Sequence, residues 1–124
     1  MALLDAGVPV RGLAHITGDG LLNLLRVAPS DIGFVIDTLP EPPPVFGLIA
    51  QRGRIGGAEM FQTFNMGVGF CVVVPEPAAD RALRAIEAEG GVAWRIGHAV
   101  RDPMRCLALP KVGLVGSGKT FETA

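Results

Sequence analysis

The sequence predicts an α/β (α+β) fold, helices packed on a mixed β-sheet, and three observations carry that expectation. Val68 to Val74 is rich in β-branched residues and runs unbroken to Pro75. Ala78 to Glu89 carries an apolar stripe of Ala79, Ala82, Leu83 and Ile86, with Asp80, Arg81, Arg84, Glu87 and Glu89 left for water. Val92 to Val100, with Trp94 and Ile96, then reads as a strand again after Gly90-Gly91. Strand, helix and strand in about 30 residues favour a sheet with helices on it over a bundle or an all-β fold. With 124 residues, 49% hydrophobic and 19% charged, the chain holds one core and is too apolar to be a disordered tail.

The other elements come in order along the chain. Met1 to Ala6 reads as the end of a helix closed by Gly7. The second half of Val8 to Ile16 reads as a strand, leading through Thr17-Gly18-Asp19-Gly20 into a short buried helix over Leu21 to Val27, stopped before Pro29. Ile32 to Ile36 is a short apolar run between Asp31 and Asp37, a second strand. In Pro40-Glu-Pro-Pro-Pro44 the last proline suits a helix start, so a helix is expected through Val45, Phe46, Leu48 and Ile49, ending before Gly53. Ala58 to Phe64 reads as a further short helix, turned by Asn65-Met66-Gly67 into the Val68 strand. Cys106 to Leu109 is expected as a last edge strand. The domain is thus assigned to residues 1–110 and a flexible tail to 111–124.

Charge and cysteine content narrow the function. Eleven Lys and Arg against 12 Asp and Glu leave a net charge of −1, which gives no footprint for nucleic acid or an anionic membrane. No stretch approaches the ~18 apolar residues of a membrane span, and the N-terminus lacks the basic region of a signal peptide. Cys71 and Cys106 lie far apart in apolar surroundings and read as buried, reduced thiols. A soluble, cytoplasmic protein is expected.

Three segments could carry chemistry. Gly113-Leu-Val-Gly-Ser-Gly118-Lys119-Thr120 satisfies the phosphate-loop pattern. Pro110 interrupts its approach and only Phe121 to Ala124 come after it, so a flexible glycine tail is the reading preferred there. Ala14-His15-Ile16-Thr17-Gly18-Asp19-Gly20-Leu21 places glycines between a strand and a helix, where backbone N–H groups approach an anion. His15 stands before that turn, where an imidazole holds a phosphate or moves a proton; a histidine merely anchoring the turn is the alternative. Asp19 adds a negative charge beside it. In Glu59-Met60-Phe61-Gln62-Thr63-Phe64-Asn65-Met66-Gly67-Val68-Gly69 the glycines flank a strand start and Asn65 holds the turn, while the Met and Phe residues read as core.

Taken in order, Ala14 to Leu22, Pro42-Pro43-Pro44-Val45-Phe46, Glu59 to Gly69 and Trp94-Arg95-Ile96-Gly97 resemble the C-terminal domain of aminoimidazole ribonucleotide synthetase, the phosphoribosylformylglycinamidine cyclo-ligase. The likeness runs from about Leu3 to Val100, and Phe64-Asn65-Met66-Gly67 favours this purine branch over relatives acting on thiamin phosphate or selenide. The resemblance implies an ATP-dependent ligase of de novo purine biosynthesis. It activates the formyl amide oxygen of formylglycinamidine ribonucleotide and closes the imidazole ring, giving aminoimidazole ribonucleotide, ADP and phosphate. It implies His15 as a catalytic residue and Thr17, Gly18, Asp19, Gly20, Asn65 and Gly67 as substrate-binding, with no metal ligand on this chain. ATP and Mg2+ are expected on the family's N-terminal half, the implied partner; the oligomeric state stays open. The family's usual turn has three glycines, and here Asp19 replaces the middle one, so a phosphate would meet a nearby carboxylate. Leu25 stands where a proline is common. With no ATP-binding half on it, the chain alone is expected to be inactive; the alternative is a non-catalytic module of the same fold that binds a partner chain.

Overall fold

The computed structural model describes residues 7, 10–16, 20–28, 30–118 and 120–123. The expected helix end over Met1 to Ala6, and the Thr17, Gly18 and Asp19 positions of the glycine turn, lie outside these residues. Among them the strands form two sheets. The first is a ribbon of β1 (Gly12–His15) and β3 (Phe70–Val73), antiparallel, pairing Ala14 with Cys71 and His15 with Phe70. The second has the order β4-β2-β5-β6-β7, with β2 at Ile32–Val35, β4 at His98–Arg101, β5 at Leu107–Leu109, β6 at Leu114–Ser117 and β7 at Thr120–Thr123. Only β2 and β5 run parallel, so the sheet is mixed, as expected.

One row of residues crosses that sheet and explains its packing. Phe34 pairs with Leu107, Leu107 with Gly116, and Gly116 with Phe121. All four are buried, and side chains on one face of a strand repeat every second residue, so Ile36, Leu109 and Leu114 extend the same apolar face. A Cβ on Gly116 would stand 2.7 Å from the Phe121 ring and 2.8 Å from Leu22, so the missing side chain is what lets both fit. Leu107 and Leu109 are wholly buried, each contributing roughly 2–3 kcal/mol of burial.

The covering layer comes from Gly20–Val27 and from α2 (Gly57–Thr63), which comes after α1 (Pro44–Gly53). Gly20–Val27 winds as a 3₁₀ helix and not as the α-helical turn its leucines would also permit. With three residues per turn, Leu21 stacks on Leu24 and Leu22 on Leu25, giving two apolar columns that enter the core together. Its last carbonyls are satisfied from outside: the Arg105 guanidinium donates to Leu25 O and Ala28 O, a cation at the negative end of the helix. Phe61 of α2 meets Phe121 edge-on at 6.3 Å, and Gln62 Oε1 accepts the Phe121 N–H at 2.7 Å. Helix α1 forms where the proline run places it, yet buries no residue. On the other side, α3 (Ala79–Ala88), entered through a 3₁₀ turn at Glu76–Ala78, lays Ala82 on Val72 and Val74 with the stripe the sequence showed.

Three expectations are corrected. Residues 111–118 and 120–123 are not a loose tail: β6 and β7 form a hairpin inside the main sheet, with Leu114 and Phe121 in the core. The phosphate-loop match falls on that hairpin, where Gly118 (φ +61°) turns into a strand and not into a helix; Lys119 lies outside the described residues. The strand at Leu107–Leu109 is central, held between β2 and β6, and not an edge. The strand expected over Val92 to Val100 is ordered into a ladder only from His98 to Arg101. Residues 91–97 run beside an open groove, tied to β2's exit by one bond from Thr38 N to Ile96 O (3.0 Å), with Trp94 half exposed.

Candidate functional site

The two distant segments singled out by sequence meet at one corner of the β1–β3 ribbon. His15 ends β1 and pairs with Phe70, which starts β3, their rings tilted with centroids 6.2 Å apart. Ile16 N donates to Gly69 O at 2.9 Å, extending the ribbon by one rung. Ala14 and Cys71 turn inward while Leu13, His15 and Phe70 stand on the outer face, exposed. The alternation of β-structure therefore puts the imidazole on the solvent side, and the chain leaves that strand straight into the Thr17-Gly18-Asp19 positions. Asn23, one turn into the 3₁₀ helix and 5% exposed, donates from Nδ2 to His15 O at 3.4 Å. Sequence reasoning passed over Asn23; a single asparagine among four leucines of a buried helix was the signal available.

Gly20 closes the glycine turn at φ +61°, a conformation that disfavours L side chains. A Cβ there would lie 2.0 Å from Phe61 O and 2.9 Å from Phe64 O. The residue is glycine because the backbone at the end of α2 occupies its side-chain space. Phe64 immediately precedes Asn65, so the end of one candidate turn rests on the approach to the other.

The second turn is held by its own hydrogen bonds. Asn65 Oδ1 accepts from Gly67 N at 2.9 Å, and Asn65 O accepts from Val68 N at 3.0 Å. Met66 (φ +53°) and Gly67 (φ +95°) both take left-handed backbone, the geometry of a tight turn feeding a strand. At Gly67 a Cβ would meet Pro43 Cδ at 2.6 Å, so the proline run is packed against the turn. Asn65 is thus the residue that shapes this turn, and the chain runs from it through Gly69, which bonds Ile16, to Phe70 beside His15.

The remaining ionisable groups of note are thiols. Cys71 is buried beneath the ribbon, and burial pushes its thiol from 9.0 up to about 11. Cys106, expected buried, is half-buried; burial first, then the Asp102 carboxylate, raises its thiol. Asp102 is occupied in shaping the loop before β5, its two oxygens accepting from Met104 N and Cys106 N, both at 2.9 Å. Among the described residues no group of three or more His, Cys, Asp or Glu converges to hold a metal ion, and no helix is long and apolar enough to cross a membrane.

Comparison with known proteins adds relatives to this geometry. Residues 1–105 match the family described as AIR synthase related protein, C-terminal domain. The phosphoribosylformylglycinamidine cyclo-ligase of Synechococcus elongatus is 42% identical over 105 residues, covering 83% of this chain and 31% of that protein. That of Methanothermobacter thermautotrophicus is 48% identical over 83 residues, 67% of this chain and 24% of its own length. The chloroplastic enzyme of Arabidopsis thaliana is 47% identical over 93 residues, 73% and 24% respectively. The chain spans less than a third of the length of these curated relatives.

Proposed function

From the premise that this chain belongs to the AIR synthase related proteins, as a member of their C-terminal domain family, we propose that it forms one wall of a cyclo-ligase cleft. The reaction served is the ATP-dependent ring closure that converts formylglycinamidine ribonucleotide to aminoimidazole ribonucleotide. The observation that carries this reading is the corner itself: an exposed His15 at the mouth of a glycine turn, backed by the Asn65-Gly67 turn through Gly20 and Phe64.

Each residue then has a task. Thr17, Gly18, Asp19 and Gly20 take the anionic end of the ribotide through the backbone N–H groups of the glycine turn. His15, exposed at the end of β1, serves the ring-closing region as the catalytic residue. Asn65 and Gly67 fix the opposing surface against which the substrate lies. Asp19 weakens phosphate binding relative to a glycine at that place, because it adds negative charge near the anion. ATP and Mg2+ belong to the half of the family's architecture outside these 124 residues. The reaction runs in the cytoplasm, or in the equivalent compartment where its substrate is made.

The test is a full-length chimera in which residues 1–105 replace the matching segment of the Synechococcus elongatus enzyme. Phosphate release from ATP should then depend on formylglycinamidine ribonucleotide, fall by about 10²–10⁴-fold in His15→Ala, and show a lower KM in Asp19→Gly. The 124-residue chain alone should give none. A folded chimera without turnover, or one indifferent to His15→Ala, overturns the reading.

A further inference from the structure

The β6–β7 hairpin lies beyond residues 1–105, which carry the family match, and it touches both elements that meet at Gly20. Gly20 opens the 3₁₀ helix, and a Cβ on it would run into Phe61 O and Phe64 O at the end of α2. Its place is therefore set by the helix it starts and by the carbonyls it faces. The hairpin reaches the first through β6: a Cβ on Gly116 would stand 2.8 Å from Leu22 Cδ2, so the strand backbone lies against that leucine. It reaches the second through β7. There the buried Phe121 ring meets Phe61 edge-on at 6.3 Å, and Phe121 N–H donates to Gln62 Oε1 at 2.7 Å. Gly116 and Phe121 are cross-strand partners, so a single rung of the hairpin makes both contacts.

Gln62 is the specific part of this arrangement. Among the described residues β7 is the outer strand of its sheet, and an outer strand leaves backbone N–H groups without a strand partner. Gln62, half-buried and next in sequence to Phe61, supplies the missing acceptor from the helix. The ring contact is non-directional and tolerates sliding of α2 along the sheet, whereas a bond from one N–H to one side-chain oxygen fixes the register. Register matters here because Phe61 O and Phe64 O lie one residue before Gln62 and two after it, so any shift of Gln62 carries both carbonyls that bound Gly20. We propose that the hairpin is a clamp on the closing residue of the anion-binding turn, with Gln62 as its positioning residue. The Gly116–Phe121 rung holds the start of the 3₁₀ helix and the end of α2 at the spacing that fixes the Gly20 N–H. Gln62 touches no substrate and acts through Gly20. The inference rests on the cyclo-ligase reading for the anion concerned, while the clamp geometry stands without it.

The test uses a chimera in which residues 1–124, hairpin included, take the place of the matching segment of the Synechococcus elongatus enzyme. Gln62→Met keeps the length and helix preference of the side chain and removes the acceptor. It should raise KM for formylglycinamidine ribonucleotide about fivefold and leave kcat within about twofold, the pattern of a lost binding contribution. Asp102→Ala, which strips two bonds from the loop before β5, should lower the unfolding midpoint at least as far and leave KM where it was. A KM unmoved by Gln62→Met, or moved equally by Asp102→Ala, overturns this inference and leaves the cyclo-ligase reading standing. If Gln62→Met does not unfold cooperatively, Gln62→Asn, whose amide falls one methylene short, is read in the same way. A wild-type chimera that folds but gives no turnover overturns the cyclo-ligase reading. In that case, or if the chimera does not fold, the 124-residue protein decides. Inorganic phosphate should shift its Gly20 and Leu21 amide resonances, with a Kd about fivefold weaker in Gln62→Met. An equal Kd, or no shift in either protein, overturns the inference.

Discussion

The glycine turn after His15 and the glycine turn at Gly118 both fit anion-binding patterns in sequence, and Gly20 and Gly118 stand in different surroundings. At the first, β1 gives way to a buried 3₁₀ helix and the turn is braced on the backbone of α2. At the second, β6 doubles back into β7 and a Cβ on Gly118 would meet nothing within 4 Å. The residues on the C-terminal side of the glycines separate the two: four buried leucines require a helix packed on the core, whereas Thr120-Phe121-Glu122-Thr123 alternates and places one aromatic ring inward. A pattern of glycines states that backbone will approach something closely; the next segment states what.

That contrast is most easily broken at Gly20. Gly20→Ala adds left-handed strain of about 1–2 kcal/mol and a collision with two carbonyl oxygens, for a total loss of about 3–5 kcal/mol in denaturant unfolding. Gly118→Ala, at a similar φ in open space, should lose only about 1 kcal/mol. Equal losses would mean that the two turns do not differ as described. Next in size is Phe121→Ala, expected to cost roughly 3–4 kcal/mol because the ring is 4% exposed and packed on Phe61. An unchanged midpoint would return residues 111–124 to the status of a tail.

The two cysteines sharpen the comparison between the ribbon and the main sheet. The folded chain keeps Cys71 protonated up to about 11, while the unfolded chain releases that proton above 9.0. The unfolded state therefore binds fewer protons in this window, and stability falls as pH rises through it, by roughly 2–3 kcal/mol at most. Cys71→Ala should flatten that loss in unfolding curves taken across pH 9.0 and above. In native protein near neutral pH, a thiol reagent should modify Cys106 first and reach Cys71 only on unfolding. The smallest effect expected is Asn65→Ala, a loss of about 1 kcal/mol for the bond to Gly67 N, read by thermal unfolding. A much larger loss would show Asn65 to be part of the core.

Much of the fold is legible in the residues alone. Segments with a strong periodic signal, such as the α3 stripe, or a defined start, such as Pro44, fold where their local chemistry places them. The corner is legible because the two turn motifs are specific in combination, although nothing local could say that Gly20 is required by Phe61 and Phe64. Two features escape for opposite reasons. The β6–β7 hairpin is short and glycine-rich, and only the cross-strand row through Leu107, Gly116 and Phe121 gives its inward residues a purpose. Residues 91–97 have strand sequence but, among the described residues, form no ladder before His98, and pairing is a property of two segments.

The contact between Gly20 and the end of α2 has a consequence for dynamics. Because Phe61 O and Phe64 O fill the space a side chain would need, the start of the 3₁₀ helix cannot separate from the Asn65 turn without both losing their packing. Amide hydrogens on the two sides, more than 40 positions apart in sequence, should then exchange with solvent deuterium in one shared opening event, at one rate and with one denaturant dependence.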